Sequence, residues 1–183
     1  MSLTPTKELE LGYALPKADL YNPETQEQVQ VASLQQENGL LVLFICNHCP
    51  FVVHVAHTLK RIGDWALENE IGVVAISSND VENYPADAPE KMVEMKKQWE
   101  LSFPYLYDED QQAAKDFGAE CTPDISLFNS DGNCVYRGRL DGSRPGNDVV
   151  SDGKDIQFAM EEMLKGNIIA NQKPSMGCNI KWK

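Results

Sequence analysis

Leu40-Leu41-Val42-Leu43-Phe44-Ile45 is a run of six apolar residues with no polar alternation. A strand with one face in water alternates, so this run predicts a strand covered on both faces. Asn38-Gly39 turns the chain into it. From Pro50 to Asn69, Val52, Val55, Leu59, Ile62 and Trp65-Ala66 fall on one side of a helix. The pattern then repeats. Gly72–Ser78 reads as a second buried strand, and Pro89–Glu100 as a second helix with Asp87 or Ala88 near its cap. A short segment around Phe103-Pro104-Tyr105-Leu106 follows, then a helix from Gln111 to Phe117 that stops at Gly118.

Ile125–Phe128 and Cys134–Arg139 flank Asn129-Ser130-Asp131-Gly132-Asn133, a hairpin signal. Ile156–Leu164 is a closing helix ended by Gly166. Upstream, Leu9–Leu34 carries short alternating segments broken by Pro16 and Asn22-Pro23, which suggests a hairpin-like opening. The residues through about Lys7 read as a loose end, and Asn171–Lys183 has little regular pattern. A parallel βαβ half followed by an antiparallel ββα half makes a mixed sheet with helices on both faces. The expected class is therefore α/β with the thioredoxin arrangement, a central mixed β-sheet flanked by helices. An N-terminal β-hairpin extension and a C-terminal tail are added to it. At 183 residues and 42% hydrophobic composition, residues 1–183 are expected to form one domain around one sizeable core.

The formal net charge of −12 argues against nucleic acid and anionic membranes as partners. Phosphate binding draws on Lys and Arg clusters, and none here exceeds pairs such as Lys96-Lys97. No stretch approaches the ~20 apolar residues of a membrane span. Met1–Glu8 carries no apolar run that could serve as a signal-peptide core, so the expected setting is soluble and cytoplasmic.

Five cysteines stand at positions 46, 49, 121, 134 and 178. An odd count does not suit a secreted disulfide framework, whereas a CxxC pair in an intracellular chain points to redox or metal chemistry. A thiolate attacks and a thiol does not, so a reactive cysteine needs something that lowers its pKa. Pro50 suits the first helical position, which puts Cys49 at or near the N-cap. A helix N-terminus supplies partial positive charge and free N–H groups, and His48 adds a full charge when protonated. Cys46 can close a small disulfide ring with Cys49. Two ordinary buried cysteines at a strand end are the bland alternative, which the flanking His and Pro fit poorly.

Here a resemblance enters. Cys46-Asn47-His48-Cys49-Pro50-Phe51-Val52 resembles the active-site stretch of redoxin-type proteins in the alkyl hydroperoxide reductase/thiol-specific antioxidant family, which are thioredoxin-like and peroxiredoxin-like. Cys121-Thr122-Pro123-Asp124 matches that family's cis-proline loop and Tyr136-Arg137-Gly138-Arg139-Leu140-Asp141 its later strand. Pro174–Trp182 looks like the ending of one subgroup, so the resemblance covers nearly the whole chain. Cis X–Pro bonds make up only ~5–6% of such bonds, so a cis Thr122–Pro123 bond is expected from position and resemblance, not from proline alone. In that fold, Thr122 would expose its backbone to the active-site cysteines and to a bound substrate peptide.

Standard thioredoxins attack with the first cysteine of CxxC. Counting from Phe44, however, Cys46 comes too early for the helix start and Cys49 reaches it. Peroxiredoxins carry Thr-x-x-Cys, and Cys46 occupies the Thr position here. Cys49 is thus the expected nucleophile and Cys46 its resolving partner. Cys121 is a candidate additional thiol, as is Cys178, which could fold back from a flexible tail after Gly177. Cys134 reads as a strand residue. Arg137, Arg139 and Arg144 are candidates to stabilise a thiolate or bind peroxide, as an arginine does in peroxiredoxins. His54 and His57 lie three apart, where a metal pair on a helix is more often spaced at four, and read as solvated residues.

The leading expectation is a thiol–disulfide oxidoreductase that exchanges with protein or small-molecule thiols through Cys46/Cys49, without cofactor or metal. The second is a peroxiredoxin-like thiol peroxidase, with Cys49 oxidised to sulfenic acid and resolved by Cys46 or Cys178. The third is a metal-binding or redox-sensor module that uses Cys46, Cys49 and either Cys121 or Cys178 as thiolate ligands.

Overall fold

The computed structural model describes residues 3–7, 10–167, 169 and 172–183. In chain order the first elements are β1 (Leu3–Pro5), β2 (Asp19–Asn22), β3 (Glu27–Gln30), β4 (Gly39–Phe44) and α1 (Pro50–Glu68). Then come β5 (Ile71–Ser77), α2 (Pro89–Gln98), β6 (Tyr105–Tyr107) and α3 (Gln112–Asp116). The chain ends with β7 (Cys121–Thr122), β8 (Asp124–Phe128), β9 (Cys134–Gly138), α4 (Lys154–Leu164) and β10 (Met176–Asn179).

The apolar run lies at the heart of a seven-stranded mixed sheet of order β3-β2-β6-β5-β4-β8-β9. β4 runs parallel to β5 (Leu40↔Gly72 through Phe44↔Ile76) and antiparallel to β8 (Leu43↔Ile125). Alternate residues of a strand face opposite sides, and both sides here are covered. Leu41 and Leu43 pack with Val52, Leu59 and Ile62 of α1. Leu40, Val42 and Phe44 pack with Ala114 and Phe117 on the other face. Each fully buried Leu or Ile of this kind stabilises the fold by about 1.5–3 kcal/mol, which explains the missing polar alternation. The opening hairpin, β2 with β3, joins the same sheet through Tyr21↔Tyr107. The short segment after α2 is a sheet strand, β6, parallel to β5.

The two chain ends depart from expectation. They are neither loose nor patternless: β10 is the middle strand of a second sheet of order β1-β10-β7. Its register sets Leu3 and Thr122 on either side of Cys178, and Cys121 against Asn179. A Cβ at Gly177 would meet the Thr122 carbonyl oxygen at 2.0 Å, so only glycine lets the strand lie this close. Beyond β10, Ile180 N–H donates to Glu120 O (3.0 Å) and Asp80 N–H donates to Lys181 O (2.8 Å). These bonds are all non-local backbone contacts, which local periodicity does not reveal. Met1, Ser2, Leu9 and Asn171, named in the sequence reading of the ends and the opening hairpin, lie outside the described residues. No helix among the described residues is long and apolar enough to cross a membrane.

Candidate active site

Cys46 follows the end of β4, and Cys49 is the N-cap of α1 with extended backbone (φ −69°, ψ 121°) and Pro50 in the first turn. The Cys49 carbonyl accepts the first helical bonds, from the N–H groups of Val52 and Val53 (3.0 Å each). Both thiols are buried, at 1% and 0% exposure. The Thr122–Pro123 bond is cis. As a thiol, Cys49 donates to Thr122 O at 3.2 Å, and the Thr122 hydroxyl lies 3.4 Å from Cys46 Sγ. The loop at β7 thus touches both sulfurs.

The groups around Cys49 favour its ionised form. The Cys46 thiol donates to the Cys49 sulfur and contributes most; the Thr122 hydroxyl and the Cys178 thiol and backbone N–H add to it. Together they outweigh burial and hold Cys49 well below the usual thiol range. Cys46 is correspondingly pushed up, first by donating to Cys49 and then by burial. Only one proton is readily lost from this pair.

His48 does not act as the free positive charge that sequence suggests. Its Nδ1 lies 2.7 Å from Asp87 Oδ2, close but not aligned along the ring N–H, so the contact is an ion pair and not a directed hydrogen bond. Asp87 is wholly buried and raises the His48 pKa. Burial alone would lift the Asp87 carboxyl, but His48, Asn79 and the Asn47 N–H hold it low. The Asp87 carboxylate thus opposes the field of the protonated ring at Cys49, and the ring stacks on Tyr84. Of the two cap candidates for α2, Ala88 is the N-cap, and Asp87 sits in a 3-10 turn, Pro85–Asp87, just before it. Sequence reasoning missed Asp87 as a site residue, and Asn47 too: the Asn47 N–H donates to Asp87 Oδ1 (2.8 Å) and its Oδ1 accepts from Tyr105 (3.1 Å). A charged residue in the Pro85-Ala86-Asp87-Ala88-Pro89 stretch was the available signal.

The other candidates separate. Cys178 is brought to Cys49 and packs in the same core cluster as Cys46 and Cys49. Cys121 is buried but faces Pro123 O (3.7 Å) and the Asp124 carboxylate (4.0 Å), and burial pushes its thiol up. Arg137 corrects an expectation: its buried guanidinium donates to Lys7 O (3.1 Å), Phe117 O (2.8 Å), Gly118 O (2.6 Å), Ser126 Oγ (2.9 Å) and Asp124 (3.2 Å), so all five N–H donors are taken and none is left for thiolate or peroxide. Arg139 pairs with Asp155 at 2.5 Å. It lines a cavity of about 270 Å³ that Phe51, Pro123, Arg144 and Ser175 also border. His54 and His57 are solvent-exposed on α1. Among the described residues, Cys46, His48 and Asp87 have ligand atoms within 4.8 Å of one another and could hold a metal ion. That set differs from the all-thiolate one suggested by sequence, and the Asp87 oxygens already accept from Asn47 and Asn79.

The Redoxin family model matches residues 10–153. A crystal structure of an uncharacterized conserved protein from Geobacillus kaustophilus is 42% identical, with TM-score 0.97 over 100% of this chain and 97% of that one. A hypothetical protein from Sinorhizobium meliloti 1021 is 36% identical, with TM-score 0.95 over 98% of each chain. A secreted Mycobacterium tuberculosis disulfide oxidoreductase is 15% identical and shares the fold at TM-score 0.59, over 79% of this chain and 94% of that one. No curated protein matches the chain. The fold is thioredoxin-like.

Proposed function

The chain belongs to the redoxin family, and from that membership we propose that it is a thiol–disulfide oxidoreductase whose attacking thiol is Cys49 and whose resolving thiol is Cys46. The observation that carries the reading is the placement of Cys49 at the N-cap of α1 with Cys46 donating to its sulfur. Cys49 thiolate attacks one sulfur of a substrate disulfide, forming a mixed disulfide and releasing one thiolate. That step removes the acceptor that held the Cys46 proton, so Cys46 ionises more easily. Cys46 then attacks Cys49 Sγ, the second substrate thiol leaves, and a Cys46–Cys49 disulfide remains. Two electrons pass from the protein pair to the substrate, and an external thiol restores the pair.

A dedicated peroxidase is less well supported. Cys46 replaces the threonine whose hydroxyl orients peroxide in peroxiredoxins, and Arg137 is committed to internal partners. The reading includes protein or small-molecule disulfides as substrates and a reducing, cytoplasmic setting, the latter resting on cysteine usage. Turnover assays with a thiol reductant supply the test. Disulfide reduction should exceed peroxide consumption, and Cys49→Ser should abolish it. Peroxide consumption as the faster reaction would overturn the assignment.

A further inference from the structure

Cys49 has no exposed surface, and an extended peptide carrying a partner disulfide would pair with the edge that the Thr122 backbone offers beside it. That edge is already occupied. β10 pairs antiparallel with β7, and Cys178 stands directly opposite Thr122 in the register. Directly paired residues on antiparallel strands have Cα atoms about 4.5–5.5 Å apart, and Thr122 O lies 3.2 Å from Cys49 Sγ. The strand is not adventitious there. β1 pairs with its outer edge, the Ser175 hydroxyl donates to Pro123 O (2.7 Å), and the Ser175 N–H donates to the Thr6 hydroxyl (3.1 Å). The chain itself thus lies in antiparallel register where an incoming peptide strand would, and it presents a cysteine.

We propose that Cys178 is a third redox thiol of this site, held in cis on the strand beside Thr122, and that it exchanges disulfides with Cys49. The proposal rests on Cys49 being the attacking thiol. With a glutathione-type disulfide as oxidant, Cys49 thiolate first takes one glutathione and releases the other. Cys178 then attacks Cys49 Sγ, the second glutathione leaves, and a Cys49–Cys178 disulfide forms. Of the two glutathiones released as thiolates, one takes the proton that Cys178 gives up and the other takes one from solvent, which held the proton of Cys49. In the Cys46–Cys49 oxidised protein, attack by Cys178 on Cys49 Sγ frees the Cys46 thiol with no net change of oxidation state. Burial and the hydrogen bond to Cys49 push Cys178 up to about 12. Capture of Cys49 in a disulfide removes the anion beside it, which readies Cys178 for attack.

The consequence concerns access. While β10 is docked, a protein strand cannot pair with Thr122, so small disulfides, which need no strand pairing, are favoured over protein disulfides in that state.

The experiment treats the full chain with oxidised glutathione and follows adducts by mass spectrometry after acid quench. Cys46 and Cys49 precede Lys60 and Cys178 follows Lys165, so a Cys49–Cys178 link joins two tryptic peptides that a Cys46–Cys49 link does not. In Cys46→Ser, the glutathione adduct on Cys49 should disappear as the Cys49–Cys178 link appears within the monomer. In Cys46→Ser with Cys178→Ser, it should persist at least tenfold longer. Gly177→Ala, which drives a Cβ into Thr122 O, should cut the yield of the link and speed alkylation of Cys49. The unsubstituted protein should show some Cys49–Cys178 link as well. An adduct that forms on Cys49 and lasts equally long with and without Cys178 overturns this proposal alone. Absence of any adduct on Cys49, even with Cys46 and Cys178 both replaced, overturns it together with the assignment of Cys49.

Discussion

Cys49 and Cys134 are the same side chain at nearly the same burial, 0% and 1% exposed, yet their acidities move in opposite directions. Cys134 sits on the far face of the sheet among Phe44, Phe128 and Ala119, and donates to Tyr136 O at 3.4 Å. Burial dominates there and lifts its pKa. Cys49 suffers the same desolvation but stands where α1, β7 and β10 converge, and its neighbours donate. Cys121 makes the point from the other side: Pro123 O and the Asp124 carboxylate accept at its sulfur, and burial with the Asp124 charge raises its thiol despite a hydrogen bond from Thr6. Burial alone makes a thiol inert, and a shell of donors reverses that.

Removal of Cys49 should break the comparison outright. An unperturbed thiol of pKa ~8.5 is less than ~1% ionised at pH ~6, so fast alkylation at that pH should belong to Cys49. Cys49→Ser should abolish it, along with disulfide turnover. If Cys46→Ser abolishes it instead, the first cysteine is the nucleophile. Donor strength is the next lever. Cys46→Ala removes the largest stabilising contact to the Cys49 sulfur and should raise the Cys49 pKa; the thiolate fraction at pH ~6 falls about tenfold for each unit by which that pKa passes above the pH. Cys46→Ser keeps a hydroxyl donor and should retain most of the fast labelling. Equal titration curves for Cys49 in the two variants would show that the donor does not matter.

A smaller effect is expected at His48. Sequence suggests a charge beside the thiolate, but the ring is paired with Asp87, whose negative charge opposes its field at Cys49. His48→Ala should therefore raise the Cys49 pKa by less than Cys46→Ala does, and it should lower the reduction potential in the same proportion. One pKa unit corresponds to ~1.4 kcal/mol, or ~30 mV for a two-electron couple. A titration of thiol absorbance in both variants compares the two shifts; a larger one in His48→Ala would mean that the imidazolium acts unscreened.

What could be read from sequence follows the range of the forces involved. β4 and α1 were visible because burial on two faces and on one helical stripe leave a local periodic record. The N-cap position of Cys49 was visible because Pro50 marks the first turn. β1 and β10 left no such record, since each is short and β10 carries Gly177 for a contact with Thr122, 55 residues earlier in the chain. The same limit hid Asp87, whose partners His48 and Asn47 lie about 40 positions upstream. It also misassigned Arg137, whose type was right for an anion site but whose neighbours Lys7, Phe117, Gly118, Asp124 and Ser126 take all five guanidinium donors. Composition and spacing identify a residue's chemistry; only the fold decides what that chemistry faces.

The smallest expected effect tests the accepting surroundings of Cys121. Asp124 is buried against Arg137, and burial raises its carboxyl to about 6 despite the guanidinium. Unfolded, the same carboxyl titrates near ~3.9. A carboxyl raised on folding favours the folded state fully below the unfolded pKa, and that contribution is lost as pH rises through the folded one. The difference of about two units bounds the loss at about 3 kcal/mol between pH ~4 and pH ~7. Asp87 and Asp141, whose carboxyls are lowered, work in the opposite direction but are shared by both proteins in the comparison. Asp124→Asn cannot titrate, so the stability of the unsubstituted protein relative to it should fall across that window. Denaturant unfolding at a series of pH values measures the difference. The fast alkylation of Cys49 should stay unchanged, because Asp124 is not among the groups that act most on its sulfur. A pH-independent stability difference would mean that Arg137 keeps Asp124 ionised throughout. The acceptor facing Cys121 would then be a permanent anion, which widens the contrast with Cys49.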